Sequence, residues 1–258
     1  MTHLPEEVLN CIRCAAELIR AAHYTIVLTG AGSSTPSGIP DFRSAGNGLW
    51  TRFSPMEVAS LTAFRHHPVK FYEWLRPLAD EMLHAKPNAA HYAFADLGEK
   101  GFIKTIITQN VDGLHQRAGF MHVLEVHGSL ETLTCSGCYR QYSSNGFIEP
   151  YIQEGKIPSC PKCNKFLKPD VVLFEEQLPK KVWLKSLEEV KTCDLMIVAG
   201  SSLVVMPVAG LPMTASENGA QLIVVNKDRT YIDERADVTI HGDLADIIPE
   251  LAREVLNA

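Results

Sequence analysis

Tyr24-Thr25-Ile26-Val27-Leu28-Thr29-Gly30-Ala31-Gly32-Ser33-Ser34 is the stretch that decides the fold. Its first six residues are apolar or β-branched apart from Tyr24, and none is charged, which is the pattern of a strand buried on both faces. The run passes straight into a glycine turn. Backbone N–H groups in such a turn, ahead of a helix N-terminus, can cradle a phosphate. The turn departs from the usual dinucleotide fingerprint: Thr35 stands where the third glycine belongs, and no acidic residue ends a second strand about 20 positions on.

Outward from this stretch, short apolar runs alternate with helical patterns. Pro5-Glu6-Glu7 opens a helix whose apolar face is Val8, Ile12, Ala15, Leu18, Ile19 and Ala22. Further strands are expected at 103–108, 123–126, 171–174, 195–199, 222–225 and 238–240, with helices at 89–99, 180–191, 205–217 and 244–256. That alternation predicts an α/β fold, a Rossmann-like parallel sheet with crossover helices. Two stretches stand outside it. Residues 44–84 are aromatic-rich and helical in pattern, and residues 128–169 carry cysteine pairs among Gly, Ser, Asn and Pro. The expected organisation is a discontinuous domain of residues 1–43, 85–127 and 170–258, with 44–84 and 128–169 as insertions forming a small module.

The chain has 258 residues, 46% of them apolar and 21% charged, which excludes disordered, collagen-like and disulfide-dense classes. A net charge of −6 gives no electrostatic reason to expect nucleic-acid or anionic-membrane binding. Residues 195–216 carry no charge over about the length of a membrane span, but Gly200-Ser201-Ser202, Pro207 and Pro212 break the run into strand, loop and helix. Met1 to Glu7 has neither the basic start nor the apolar block of a signal peptide. Seven cysteines, an odd number, argue against an extracellular disulfide framework, so a cytoplasmic location is expected.

Cys135-x-x-Cys138 and Cys160-x-x-Cys163 are separated by 21 residues. Two such knuckles offer four thiolates to a tetrahedral Zn²⁺ and leave no open position, so the metal is expected to be structural. Gly200-Ser201-Ser202 again follows a strand, and Asn226 ends the next one; sites at the carboxyl ends of parallel strands converge on one crevice. Ser37-Gly38-Ile39-Pro40-Asp41-Phe42-Arg43-Ser44 reads as a loop covering a ligand, Phe42 needing a ring to pack on. Thr108-Gln109-Asn110-Val111-Asp112-Gly113-Leu114-His115 and Glu125-Val126-His127-Gly128 end two more strands in polar residues. Either His127 or His115 has the spacing of a base working near neutral pH. No Ser-His-Asp pattern or His-Glu-x-x-His helix is present.

Together these segments resemble the sirtuins, NAD-dependent protein deacylases. Gly-Ala-Gly-x-Ser-x-x-Ser-Gly-Ile-Pro-Asp-Phe-Arg-Ser, Thr-Gln-Asn-Val-Asp-x-Leu-His, a strand-end His-Gly and the four-cysteine ribbon occur in the family's order, as do Lys168-Pro169-Asp170-Val171-Val172, Gly200-Ser201-Ser202-Leu203, Asn226-Lys227-Asp228-Arg229-Thr230 and His241-Gly242-Asp243. The resemblance runs from about Ile12 to Leu251. It implies that Gly30, Ala31, Gly32 and Ser34 with Gly200, Ser201 and Ser202 hold the NAD pyrophosphate, and Asn226 the adenosine ribose. Asp243 and Leu244 would lie near the adenine. Ile39, Asp41, Asn110 and Asp112 would line the nicotinamide pocket, Phe42 and Arg43 would sit on the mobile cofactor loop, and Gln109 would contact the nicotinamide ribose. His127 would be the base. The acyl-lysine peptide would pair with Val171, Val172 and Phe174 and with Leu203, Val204 and their neighbours.

The implied reaction consumes NAD: the acyl oxygen attacks the ribose carbon bearing nicotinamide, and the products are nicotinamide, free lysine and acylated ADP-ribose. Two alternatives stay open from the residues, protein ADP-ribosyl transfer on the same site and a non-catalytic reader of acyl-lysine. The sequence leaves oligomeric state open. One position departs from the family: the usual Gly-Glu after the 171–174 run is Glu175-Glu176 here. A glutamate there predicts backbone strain if φ is positive, and a preference for basic peptides from its charge.

Overall fold

The computed structural model describes residues 4–42 and 48–257. Among these the strands are β1 (Thr25–Thr29), β2 (Ile103–Thr108), β3 (Val123–Glu125), β4 (Gly128–Cys135), β5 (Gln141–Ser143), β6 (Leu167–Val171), β7 (Leu195–Ala199), β8 (Gln221–Asn226) and β9 (Val238–His241). The chain divides into two compact units.

The first unit comprises Met1–Ser37, Lys86–Val126 and Lys181–Ala258. Its core is a six-stranded parallel sheet in the order β3-β2-β1-β7-β8-β9. Every residue of β1 and β7 is buried, in keeping with strands made only of apolar residues and, at the ends of β1, threonine. One sheet face is covered by the helices Glu6–Ala21, Ala89–Glu99 and Leu244–Leu256, whose Ile12, Ile19, Phe94, Leu97, Ile248 and Leu251 pack against strand residues such as Val27, Ile106, Ile197 and Val225. The register aligns Thr29 with Thr108 and with Ala199, so the carboxyl ends of β1, β2 and β7 finish level. Strand order reverses at β1, which makes the edge above β1 and β7 the topological switch point where α/β sheets bind ligands.

The second unit comprises Gly38–Ala85 and His127–Lys180. The helices Leu61–His66, Pro68–His84 and Ile148–Glu154 share a core of Phe64, Phe71, Tyr72, Leu75, Tyr151 and Leu173. A small antiparallel sheet, β5-β4-β6, ends its central strand in Cys135, and Leu133, Cys135, Cys160 and Leu167 are buried together.

Two expectations need correcting. The run 171–174 is not a strand of the parallel sheet: β6 ends at Val171, pairing with β4, and Phe174 makes only an isolated bridge to Ser60. The helix expected at 205–217 begins as a single 3-10 turn at Val208–Gly210 and becomes α-helical at Leu211, because residues 200–207 are spent on the loop after β7. No helix among the described residues is long and apolar enough to cross a membrane.

Candidate active site and metal centre

At the switch point two turns meet backbone to backbone. Gly32 N donates to Gly200 O at 2.9 Å, and Gly30 N to Ala199 O at 3.3 Å. Gly200 has φ +63°, and a Cβ there would lie 2.5 Å from Ser33 N, so only glycine satisfies both conformation and space. The turn is less of an amide cradle than its sequence suggested. Ser33 N and Ser34 N also donate inside the fold, to Gly30 O and Ala31 O, so four of the five amides from Gly30 to Ser34 are engaged.

The polar side chains around this turn form one network. Asn110 Nδ2 lies 3.1 Å from Gly30 O and 3.0 Å from both Ser33 Oγ and Ser34 Oγ. Ser34 Oγ donates to Asp112 Oδ2 at 2.7 Å, and Leu114 N donates to Asp112 Oδ1 at 2.9 Å. Burial raises the Asp112 carboxyl above its ordinary range, opposed by those two bonds. Gln109 Nε2 donates to Ser201 Oγ at 2.8 Å, tying the end of β2 to the loop after β7. In this way Asn110, Asp112, Ser34, Gln109 and Ser201, far apart in sequence, meet at one edge.

The two candidate histidines differ sharply. His115 is 1% exposed, its Nε2 is 3.0 Å from Thr29 Oγ1, and its ring packs on buried His91 with centroids 4.8 Å apart. Burial pushes His115 down to about 3 and His91 to about 4. A neutral ring sealed under the sheet edge cannot exchange protons with a ligand, so His115 is removed as the base. It acts as a support: Thr29 Oγ1 donates to Thr108 Oγ1 at 2.8 Å, and Thr108 Oγ1 accepts from Asn110 N at 3.1 Å. His127 belongs to the second unit. It is half-buried, and its carbonyl accepts from Val172 N at 2.7 Å. Gly128 follows with φ +78°, where a Cβ would fall 2.0 Å from Asp170 O.

Sequence reasoning missed Asn88. Its Nδ2 donates to Ser33 O and Ser37 Oγ at 2.9 and 3.0 Å, while its Oδ1 caps Ala89–Glu99 by accepting from Ala90 N. An asparagine just ahead of a helical run was the available signal.

Farther along the edge, Asn226 ends β8 and donates to Asp228 O at 2.8 Å. Asp243 caps Leu244–Leu256 through Ala245 N and pairs with Lys227 at 2.8 Å. Leu244 is 2% exposed and belongs to the main core, so its side chain is packed away from the strand-end edge. In the loop after β7, Leu203 is buried with φ +49°, whereas Val204 is 61% exposed.

In the second unit Ile39 is buried and Asp41 O accepts from Leu49 N at 3.0 Å. Phe42 finds its ring in Trp50, with centroids 5.2 Å apart; Trp50 in turn stacks on Trp74 and meets Phe174 edge-on. Arg43 lies outside the described residues. The amides of the 172–174 run point inward: Phe174 N donates to Ala59 O at 3.0 Å and Leu173 N to Glu176 Oε2 at 2.9 Å.

The four cysteines form a metal-binding set. Their Sγ atoms lie within 4.8 Å of one another, with Cys135–Cys163 at 3.4 Å and Cys138–Cys160 at 3.7 Å. A tetrahedron of Zn–S bonds of about 2.3 Å has edges of about 3.8 Å, so the cluster is compatible with structural zinc. Gly137 N and Cys138 N donate to Cys135 Sγ at 3.4 Å, as in a knuckle that steadies a thiolate, and Tyr142 Oη lies 3.3 Å from Cys160 Sγ.

The Sir2 family profile matches residues 30–207. The chain is 45% identical over 245 residues to an NAD-dependent protein deacylase of Archaeoglobus fulgidus, covering 95% of this chain and 96% of that one. A Sir2 homologue solved in complex with NAD superposes with a TM-score of 0.87 at 38% identity, over 99% of this chain and 95% of the other. A Sir2 enzyme bound to a myristoylated histone peptide gives 0.84 at 41% identity, over 96% and 98%.

Proposed function

The chain belongs to the Sir2 family, and from that premise we propose how its own residues divide the work of an NAD-dependent protein lysine deacylase that yields lysine, nicotinamide and O-acyl-ADP-ribose. The first unit is then the NAD-binding domain, and the second is the small domain of helical insertion and zinc ribbon.

The observation that carries the reading is the Asn110 carboxamide, joined to Gly30 O, Ser33 and Ser34 and through Ser34 to Asp112 at the switch point. A polar cluster of this kind, beside two glycine turns and with Asn226 at the next strand end, suits a ligand of phosphates, riboses and an amide. When bound, NAD supplies a ribose carbon made electrophilic by a positively charged leaving group. Asn110 and Asp112 hold the nicotinamide, to which the family pattern also assigns Ile39 and Asp41. Gln109, braced on Ser201, orients the adjoining ribose. Gly30, Ala31, Gly32 and Ser34 with Gly200 to Ser202 position the pyrophosphate, and Asn226, Asp243 and Leu244 are assigned to the adenosine end. Phe42 and Arg43 are the positions that the family pattern assigns to the cofactor loop.

Val171, Val172 and Phe174 receive the acyl-lysine peptide, and Leu203 and Val204 are the further positions that the family pattern assigns to it. His127 takes the proton from a ribose hydroxyl, which then attacks the acyl carbon. The four cysteines hold a structural zinc with no open coordination position. A cytoplasmic location fits a chain whose thiolates must stay reduced.

His127→Ala tests the assignment. Acyl removal should fall at least 10²-fold, while nicotinamide release in the presence of acyl peptide and NAD persists. Loss of both together would contradict a role confined to the base step, and continued transfer of labelled ADP-ribose to protein would favour ADP-ribosylation instead.

A further inference from the structure

Glu175 follows Phe174 with φ +75°, in the left-handed region that glycine enters freely and a side chain with Cβ resists. Residues strained in this way persist where their surroundings hold them. Here the carboxylate itself provides the hold. Glu175 Oε2 accepts from Thr62 N at 2.9 Å, and the Thr62 side chain also bonds to the carboxylate. Those two bonds, with Arg65 three residues on, keep the carboxyl below its ordinary range. Backbone bonds run alongside: Leu61 N donates to Phe174 O and Phe174 N to Ala59 O, each at 3.0 Å. Residues 174–175 are thus clipped to 59–62, the entry to the helix Leu61–His66.

A second brace holds the other side of the run. Glu176 pairs with Lys168 at 2.8 Å, and its Oε2 accepts from Leu173 N. Lys168 Nζ in turn donates to Val171 O at 2.8 Å. The 171–174 run is therefore fixed at one end by Glu176 and Lys168 and at the other by Glu175 and Thr62. A glycine at 175 would satisfy the backbone angle but would leave Thr62 N without this acceptor.

We propose that Glu175 is a positioning residue for the acyl-lysine peptide: its bond to Thr62 holds Val171–Phe174 in one conformation and so sets peptide affinity rather than the chemical step. This rests on the reading of 171–174 as the peptide-receiving run. The proposal places the effect in that bond rather than in the carboxylate's charge, which the sequence suggested would favour basic peptides.

The test uses the full chain and its Glu175→Ala and Glu175→Gln variants, with acetyl-lysine peptide and NAD varied separately. Loss of a helix-entry acceptor is ordinarily worth a few-fold or more, so Glu175→Ala should raise peptide KM roughly threefold to tenfold with kcat and the KM for NAD within about twofold. Glu175→Gln keeps an acceptor for Thr62 N and should return peptide KM to within about twofold of the parent, on neutral and basic peptides alike. Unchanged KM in Glu175→Ala, a fall in kcat instead, or a Gln variant as poor as Ala would each overturn the proposal. Hydrogen exchange at the Thr62 amide separates this from the functional reading. Faster exchange in Glu175→Ala establishes the latch even if the parent fails to deacylate, and an unchanged rate removes the latch whatever the kinetics.

Discussion

Lowering the pH from 7.5 to 5.0 should cost the fold about 2 kcal/mol for each of two buried imidazoles. His91 and His115 are each 1% exposed and packed ring against ring, and His91 Nε2 and His115 Nδ1 have no hydrogen-bond partner among the described residues. Burial holds them at about 4 and about 3, against an ordinary 6.5. The native state therefore keeps both neutral while the unfolded chain takes up protons below about pH 6.5, so stability falls as the pH drops through that value. The loss continues until the native rings themselves charge, near 4 for His91 and near 3 for His115. At pH 5.0 the unfolded ring is favoured by about 1.5 pH units, which gives about 2 kcal/mol per ring and about 4 kcal/mol for the pair. That is a large part of a typical folding free energy of about 5–15 kcal/mol. The assay is urea unfolding followed by far-ultraviolet circular dichroism, at both pH values, for the parent, His91→Gln and His115→Gln. Carboxylates and cysteines contribute equally to parent and variant, so the difference isolates the ring. Each variant should lose about 2 kcal/mol less than the parent between the two pH values. Equal losses in parent and variants would refute the picture of two buried neutral rings.

Gly200→Ala should destabilise the chain by on the order of 3 kcal/mol, or roughly 5–10 °C in Tm, and weaken NAD binding, since its Cβ would meet Ser33 N at 2.5 Å. Calorimetry with and without NAD reads both; an unaltered Tm would mean that the two turns do not touch. Cys160→Ser should take bound zinc, measured by plasma mass spectrometry, from about one ion per chain to none and speed amide exchange across β4–β6. Full zinc occupancy in that variant would remove Cys160 from the ligand set.

The parallel sheet was legible because its strands announce themselves locally. β1, β2 and β7 are apolar runs closed by glycine or by polar residues, and each lies within a residue of where its pattern puts it. Run 171–174 carries the same local signal and is not such a strand, because its amides are claimed by His127 O, Glu176 and Ala59 O, partners that hydrophobicity does not encode. The sheet β5-β4-β6 was hidden for another reason: part of its core is cysteine, which reads as a metal ligand and not as packing. At the candidate site, residue types and strand-end positions marked Asn110, Asp112 and Ser201. They could not tell which histidine was sealed, since His115 and His127 both follow strands and only burial separates them. The conformation of Glu175 was foreseeable from its place in a glycine position, but its bond to Thr62, more than 100 residues away, was not.

The most direct measurement follows the atoms of the reaction. Acetyl-lysine peptide carrying an isotopic label in the acetyl group is incubated with the chain and NAD, and the products are resolved by mass spectrometry. Deacylation as described predicts equal amounts of free lysine peptide, nicotinamide and labelled acetyl-ADP-ribose, none of them without NAD. Labelled free acetate formed while NAD stays intact, or NAD converted to its reduced form with the peptide unchanged, would contradict it.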